Sequence, residues 1–177
     1  CLDHGTPPES VKEENYFFKL SRYAKRVHGL IKSGKLEIIP NERKNEILKF
    51  LEKKVEDISF SRPRKNLKWG IVVPGDNAQT IYVWADALTN YISALGWGTT
   101  SSAKFKKYWP ADLHVIGKDI LRFHAAYWPA MLLSAGLPLP KKIFVHGFIS
   151  VEGQKMSKTL GNVVDPVKIV KQYSSTG

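Results

Sequence analysis

The sequence predicts an α/β fold built on a parallel sheet. The clearest sign is the run from Asp112 to Val151, which reads as strand, helix and strand over Leu113–Ile116, Asp119–Ala135 and Lys142–His146, a β-α-β unit bounded by "PLP". A second sign is "TIYVWADALTNYISALGW", where a strand over Thr80–Trp84 runs straight into a helix over Asp86–Leu95. The third is a pair of amphipathic helical stretches early in the chain, whose apolar stripes need a layer to pack on.

Ser10 and Glu13 follow "GTPP" at the spacing of a capping box, so the first helix is expected from Val11 to about Lys32. It places Tyr16, Phe17, Leu20, Tyr23 and Val27 at helical spacing, and "SGK" ends it. Asn41 opens a second helix, "ERKNEILKFLEKKVED", with Ile47, Leu48, Phe50 and Leu51 inward and lysines outward. Arg62, Arg64, Lys65 and Lys68 are expected in a loop before the apolar stretch Gly70–Val73, "PGDN" is a turn, and "GTTSS" is a surface linker.

With 177 residues, 43% of them hydrophobic, the chain can bury one globular core. Lys and Arg number 27 against 16 Asp and Glu, a formal charge of +11 spread over both halves. A solvated lysine face and a polyanionic partner both account for that excess. The single cysteine, Cys1, excludes an internal disulfide and a complete zinc site of the C-x-x-C type, and it fits a reducing compartment. No apolar run approaches the roughly 18 residues of a membrane span, so none is expected. The chain starts on "CLDHGTPPES", without a methionine, and stops on "KQYSSTG", so it is expected to be a segment of a longer chain.

Ligands of an open α/β sheet bind outside the carboxyl ends of its strands, where "WADALTNY", "GKDILRFH" and "HGFISVEGQKMSK" converge. Gly117 lets a ligand approach the backbone, and Asp119 either accepts hydrogen bonds from sugar hydroxyls or caps the following helix. Ile120, His124 and Trp128 share one helical face, which makes either a core stripe or a pocket wall with one polar handle. Trp84, Ala87, Leu88 and Tyr91 make either core or a concave apolar slot for an unbranched side chain. Lys155 and Lys158 sit three apart in "GQKMSKT", a flexible lysine loop suited to phosphate oxygens, or a solvated basic loop.

"KMSKT" resembles the lysine signature loop of class I aminoacyl-tRNA synthetases. Together with "EENYFFKLSRY", "DISFSR", "KWGIVVPGD", "TIYVWADALTNYISALGW", "HVIGKDILRFHAAYWPAMLLSAGLPLP" and "IFVHGFISVEGQKMSKTLGNVVDP", it makes nearly the whole chain similar to the methionyl-tRNA synthetase family, in its bacterial and organellar branch. The resemblance implies the C-terminal half of a Rossmann-type nucleotide-binding sheet with flanking helices. It places the end of an inserted connective domain over residues 1–78, the second half of the catalytic fold over 79–150, and the signature loop with the start of the stem-contact region over 151–177.

It further implies ATP-dependent activation of methionine, with magnesium present, and transfer to tRNA(Met), with no membrane or DNA partner and no protein-bound metal. Trp84, Ala87, Leu88, Tyr91, Ile120, His124 and Trp128 fall where the methionine side chain is held. Gly117 and Asp119 fall at the ATP ribose, and His146 and Ile149 at the adenylate. Arg62 supports the amino-acid end, while Lys155 and Lys158 are the loop lysines, Lys158 also reaching ATP. The family's H-x-G-H signature and anticodon-binding domain are not among these residues, so the segment alone is expected to be inactive, and Thr159 stands where the loop usually has serine. The alternatives are a leucyl, isoleucyl or valyl relative, another nucleotidyltransferase and an RNA-binding module. A mitochondrial matrix setting is preferred over the cytoplasm.

Overall fold

The computed structural model describes residues 7, 12–157, 159 and 161–174. In chain order the first elements are β1 (Phe17–Phe18), α1 (Leu20–Lys32), β2 (Glu37–Ile39), α2 (Asn41–Glu52), β3 (Ile58–Ser59), β4 (Ser61–Pro63), β5 (Val72–Val73), β6 (Asp76–Ile81) and α3 (Val83–Ser93). They are followed by α4 (Ala103–Tyr108), β7 (Leu113–Gly117), a broken helical strap ending in α5 (Trp128–Ser134), β8 (Lys142–His146), β9 (Ser150–Val151), β10 (Gln154–Lys155) and α6 (Pro166–Tyr173).

The β-α-β unit is present. Strands β7 and β8 pair in parallel from Leu113↔Lys142 to Gly117↔His146, and β2 adds in parallel on the other side of β8. Strand β2 has no counterpart in the sequence reading, since "LEII" is too short to show a period. Its Ile38 is nonetheless buried beside Ile143.

Helix α1 begins at Leu20, not Val11. Phe17 and Phe18 are drawn into a ladder with Ser59 and Ile58, which leaves Tyr16 and Phe17 exposed instead of inward. Ser10 lies outside the described residues, and Glu13 accepts hydrogen bonds from the side chains of Asn15 and Asn66 instead of opening a helix. Helix α2 stops at Glu52, well before Asp57. The strand expected over Thr80–Trp84 is β6, which starts directly after the Gly75 turn and joins β4 and β5 in an antiparallel sheet separate from the parallel one. Arg62 is therefore a strand residue of β4, and Trp84 lies in the first turn of α3. Strand β6 also runs through the expected division at residues 78 and 79.

Two clusters make the interior. In the first, Leu20, Val27 and Ile31 of α1 and Ile47 and Leu51 of α2 cover the face of the parallel sheet that carries Ile116, Ile143 and Val145. In the second, Leu88 and Ile92 of α3 pack with Trp109, Trp128 and Leu132. The opposite face of the parallel sheet leaves Leu113, Val115 and Phe144 at 48%, 62% and 40% exposure, although a parallel sheet ordinarily has both faces covered. No helix among the described residues is long and apolar enough to cross a membrane.

Ile143 is fully enclosed in the central strand. Ile143→Ala should therefore destabilise the fold by about 2–5 kcal/mol, read from denaturant or thermal unfolding.

Candidate active site

After β7 the chain does not run as the single helix expected over Asp119–Ala135. A 3-10 turn (Lys118–Ile120) leads into a π-helical turn (Phe123–Tyr127) and then α5. Widening a helix by one residue per turn changes which side chains share a face, and such bulges often mark functional sites. Here the strap serves both clusters. Leu121, Ala125 and Ala126 enter the first, while Trp128 enters the second. Ile120 packs against the first cluster, so it does not continue one stripe with His124 and Trp128.

The second cluster packs the residues expected to make the slot against α3. The Trp84 ring stacks on Phe123 at 3.9 Å, Tyr91 lies 5.7 Å from His124 and 6.0 Å from Trp128, and Leu88 is buried between them and the core. Ala87 is exposed on the outer side of α3. His124 is 2% exposed and fully bonded: its Nδ1–H donates to the Ile120 carbonyl at 3.1 Å. A carbonyl can only accept, which fixes the tautomer. Nε2 of the neutral ring then accepts from the Tyr91 hydroxyl at 2.9 Å. Burial pushes His124 down and Tyr91 up, so both stay uncharged.

Three aromatic residues of this region escaped the sequence reading. Phe123 backs Trp84. Trp109 closes the cluster and donates from Nε1 to the Pro138 carbonyl. His114 lies 4.3 Å from the Tyr91 ring, and only the period-two alternation of "LHVIG", which puts it on the face of Ile116, could have placed it inward. Burial and then His124 push the His114 imidazole down to about 4. Its Nε2, and Nε1 of Trp128, are enclosed without a hydrogen-bond partner, an arrangement that costs about 1–3 kcal/mol per group.

The second opening lies at the strand ends. Paired registers set Gly117 of β7 beside His146 of β8, and these two line an open cavity of about 190 Å³ with Asp119, Phe148, Ile149 and Lys155. Gly117 has ordinary backbone angles, so its value is space. A Cβ there would meet the Asp119 carboxylate at 2.7 Å. His146 donates from Nδ1 to the Gly147 carbonyl.

The ammonium groups of Lys118 and Lys155 lie 4.2 and 3.9 Å from the Phe148 ring. Strands β9 and β10 make a hairpin turned at Glu152–Gly153, both at positive φ, which is what Gly153 is for. Asn162 ties its outgoing limb by accepting from Ser157 N–H and donating to the Lys155 carbonyl. Lys158 lies outside the described residues.

Arg62 is pinned beside the slot helix. Its guanidinium donates to Ser59 Oγ and the Ser61 carbonyl, both at 2.7 Å, and covers the Tyr82 ring just before α3. A larger groove of about 760 Å³, between Arg64, Lys65 and Lys68 and the carboxylates Glu13 and Glu14, gathers none of the expected site residues.

The strand-end cavity thus opens at the carboxyl edge of the parallel sheet, the aromatic cluster packs on the strap that leaves the same strand, and the chain is similar to solved structures of class I aminoacyl-tRNA synthetases. The chain belongs to the family described as "tRNA synthetases class I (M)", whose sequence model matches residues 1–176. A methionine–tRNA ligase of Brucella suis is 53% identical over 96% of this chain, and one of Caldanaerobacter subterraneus is 51% identical over 98%. The chain spans 32% and 27% of those two proteins. Mycobacterium tuberculosis methionyl-tRNA synthetase bound by methionyl-adenylate superposes with a TM-score of 0.84 at 46% identity, over 97% of this chain and 33% of that one. Its apo form gives 0.79 at 41% identity, over 98% and 32%. These relatives are bacterial and lend no support to the mitochondrial preference.

The two buried histidines set a pH dependence. Between about 6.5 and 4 the unfolded chain protonates His114 while the folded one does not, so stability should fall as pH is lowered through that window, and this contribution levels off below it. His124 adds in the same direction. Unfolding midpoints measured across this range should show a shallower slope in His114→Leu.

Proposed function

We propose that the protein containing this chain activates methionine with ATP and transfers it to the 3′ end of tRNA(Met). The observation that carries the reading is the Tyr91–His124 hydrogen bond enclosed among the rings of Trp84, His114 and Trp128. A thioether is apolar and polarisable, so Trp84, Leu88, Tyr91 and Trp128, with Phe123 behind them, suit its bulk. The polar pair gives the slot a means of rejecting hydrocarbon isosteres. Ala87 and Ile120 act least directly in this set, given where their side chains lie.

In the reaction a methionine carboxylate oxygen attacks the α-phosphorus of ATP. The bond to the bridging oxygen breaks and pyrophosphate leaves with its electron pair. A ribose hydroxyl of the terminal adenosine then attacks the aminoacyl carbon, and AMP leaves. In our reading Asp119 holds the ATP ribose, Gly117 leaves room for it, and His146 and Ile149 border the adenylate. Arg62 supports the amino-acid end, and Lys155 and Lys158 meet the charge that builds on the phosphates. No covalent enzyme intermediate is needed, because the work is orientation and charge stabilisation.

No cluster of three potential metal ligands occurs among the described residues, and no step above passes through magnesium. The exposed face of Leu113, Val115 and Phe144 supports the reading that further chain of the relatives' length completes the sheet. We also read residues 1–78 as the end of the inserted region, 79–150 as catalytic fold and 151–177 as the signature loop. The bacterial relatives favour a cytoplasmic setting.

Amino-acid-dependent ATP–pyrophosphate exchange on the full-length protein tests the reading. Exchange is expected with methionine and not with leucine, isoleucine or valine, and Lys158→Ala should lower it by about 10²-fold or more. Exchange with a branched amino acid, or with none, would overturn it. In the same assay Gly117→Ala should raise KM for ATP by about tenfold or more, since its methyl displaces the Asp119 carboxylate, with KM for methionine little changed.

A further inference from the structure

His114 is the buried polar side chain of the slot region to which the reaction above gives no role. It stands on the inner face of β7 at 6% exposure, its ring 4.3 Å from Tyr91, 6.2 Å from His124 and 6.3 Å from Trp109. Stability does not explain it. Its Nε2 is enclosed with no hydrogen-bond partner, and an apolar side chain of similar size would pack there without that penalty.

Its neighbour does explain it. Tyr91 is 37% exposed, yet its hydroxyl must reach His124 Nε2 at 2.9 Å, which fixes both the tilt and the depth of the phenol. Of the rings around Tyr91, His114 is the nearest, ahead of His124 at 5.7 Å and Trp128 at 6.0 Å. The imidazole lies 4.3 Å from the phenol with the two planes tilted by 49°, a ring-to-ring contact that a branched aliphatic chain would not reproduce.

We propose that His114 is a positioning residue of the amino-acid slot, which through its contact with the Tyr91 ring holds the Tyr91 hydroxyl on His124. The inference rests on the reading of this slot as the methionine site. Uncharged at neutral pH, His114 brings no cation beside His124 that would compete for the phenol oxygen.

The test is a double-mutant cycle in the full-length protein, reading methionine-dependent exchange for wild type, His114→Leu, Tyr91→Phe and the pair. His114→Leu should raise KM for methionine about fivefold to tenfold with kcat within about twofold, as expected when binding common to ground and transition states is lost. In the Tyr91→Phe background the same change should add less than about twofold, because the hydroxyl it positions is gone. Independent effects that multiply, or an unchanged KM in His114→Leu, would overturn the proposal.

Nitrogen NMR of labelled histidines gives a second reading that needs no activity. The His124 Nε2 resonance should move in His114→Leu in the direction it moves in Tyr91→Phe, and a resonance left unmoved would overturn the proposal. Failure of wild type to exchange with methionine would instead remove the functional reading, with the NMR comparison still deciding whether His114 sets Tyr91.

Discussion

The register between β7 and β8 is the constraint on which both the aromatic cluster and the strand-end cavity depend. Because side chains alternate along a strand, a slip of one residue would send His114 and Ile116 to the face now occupied by Leu113 and Val115. His114 would leave Tyr91, and Gly117 would no longer stand beside His146. What pins the register is burial: Ile116, Ile143 and Val145 are almost wholly enclosed under α1 and α2. The Lys141–Asp112 ion pair at the start of these strands is short at 2.6 Å but exposed, and exposed pairs contribute about 0–1 kcal/mol.

The strap after β7 solves a second problem, since one segment must face two cores. A regular helix repeats its face every 3.6 residues and would bury one stripe. The π-helical turn lets Ala125 and Ala126 close on the first cluster while His124 and Trp128 turn toward the second. His124 is then bonded through its own helix, to the carbonyl of Ile120, so its acceptor nitrogen is aimed at the Tyr91 hydroxyl. A polar pair already satisfied within an apolar enclosure keeps its geometry without a ligand, and its hydroxyl oxygen stands at a fixed place among the rings.

The sequence made the strand ends legible and the helical strap only partly so. The short apolar runs Leu113–Ile116 and Lys142–His146 on either side of a helical stretch marked the two strands, and Gly117, Asp119, His146, Ile149 and Lys155 were picked out by their places after those strands and by the family likeness. The structure gathers these five at one cavity. Helix start signals misled where tertiary pairing overruled them, as with Phe17 and Phe18, whose helical spacing lost to a ladder with Ile58 and Ser59. A period of 3.6 put Ile120 with His124 and Trp128, and no local signal announces a π-helical turn. Phe123 and His114 went unseen for a related reason: each reads as ordinary core, and only the placement of a distant helix, α3, turns them toward the slot.

The lysine hairpin shows why such a loop is worth ordering. Lys155 rests on Phe148, which Lys118 also approaches, so two cations share one ring at the edge of the strand-end cavity. An exposed cation–π contact contributes about 0.5–1 kcal/mol, which biases the lysine by only a few-fold. That is enough to keep the ammonium near the cavity and too little to compete with phosphate oxygens, whose charge attracts it far more strongly. The positive-φ turn at Glu152–Gly153 and the Asn162 ties confine the backbone, while the long lysine stem has rotatable bonds of its own. A point charge on a flexible stem can follow negative charge as it shifts during phosphoryl transfer, which a rigid guanidinium of fixed fork geometry would do less well.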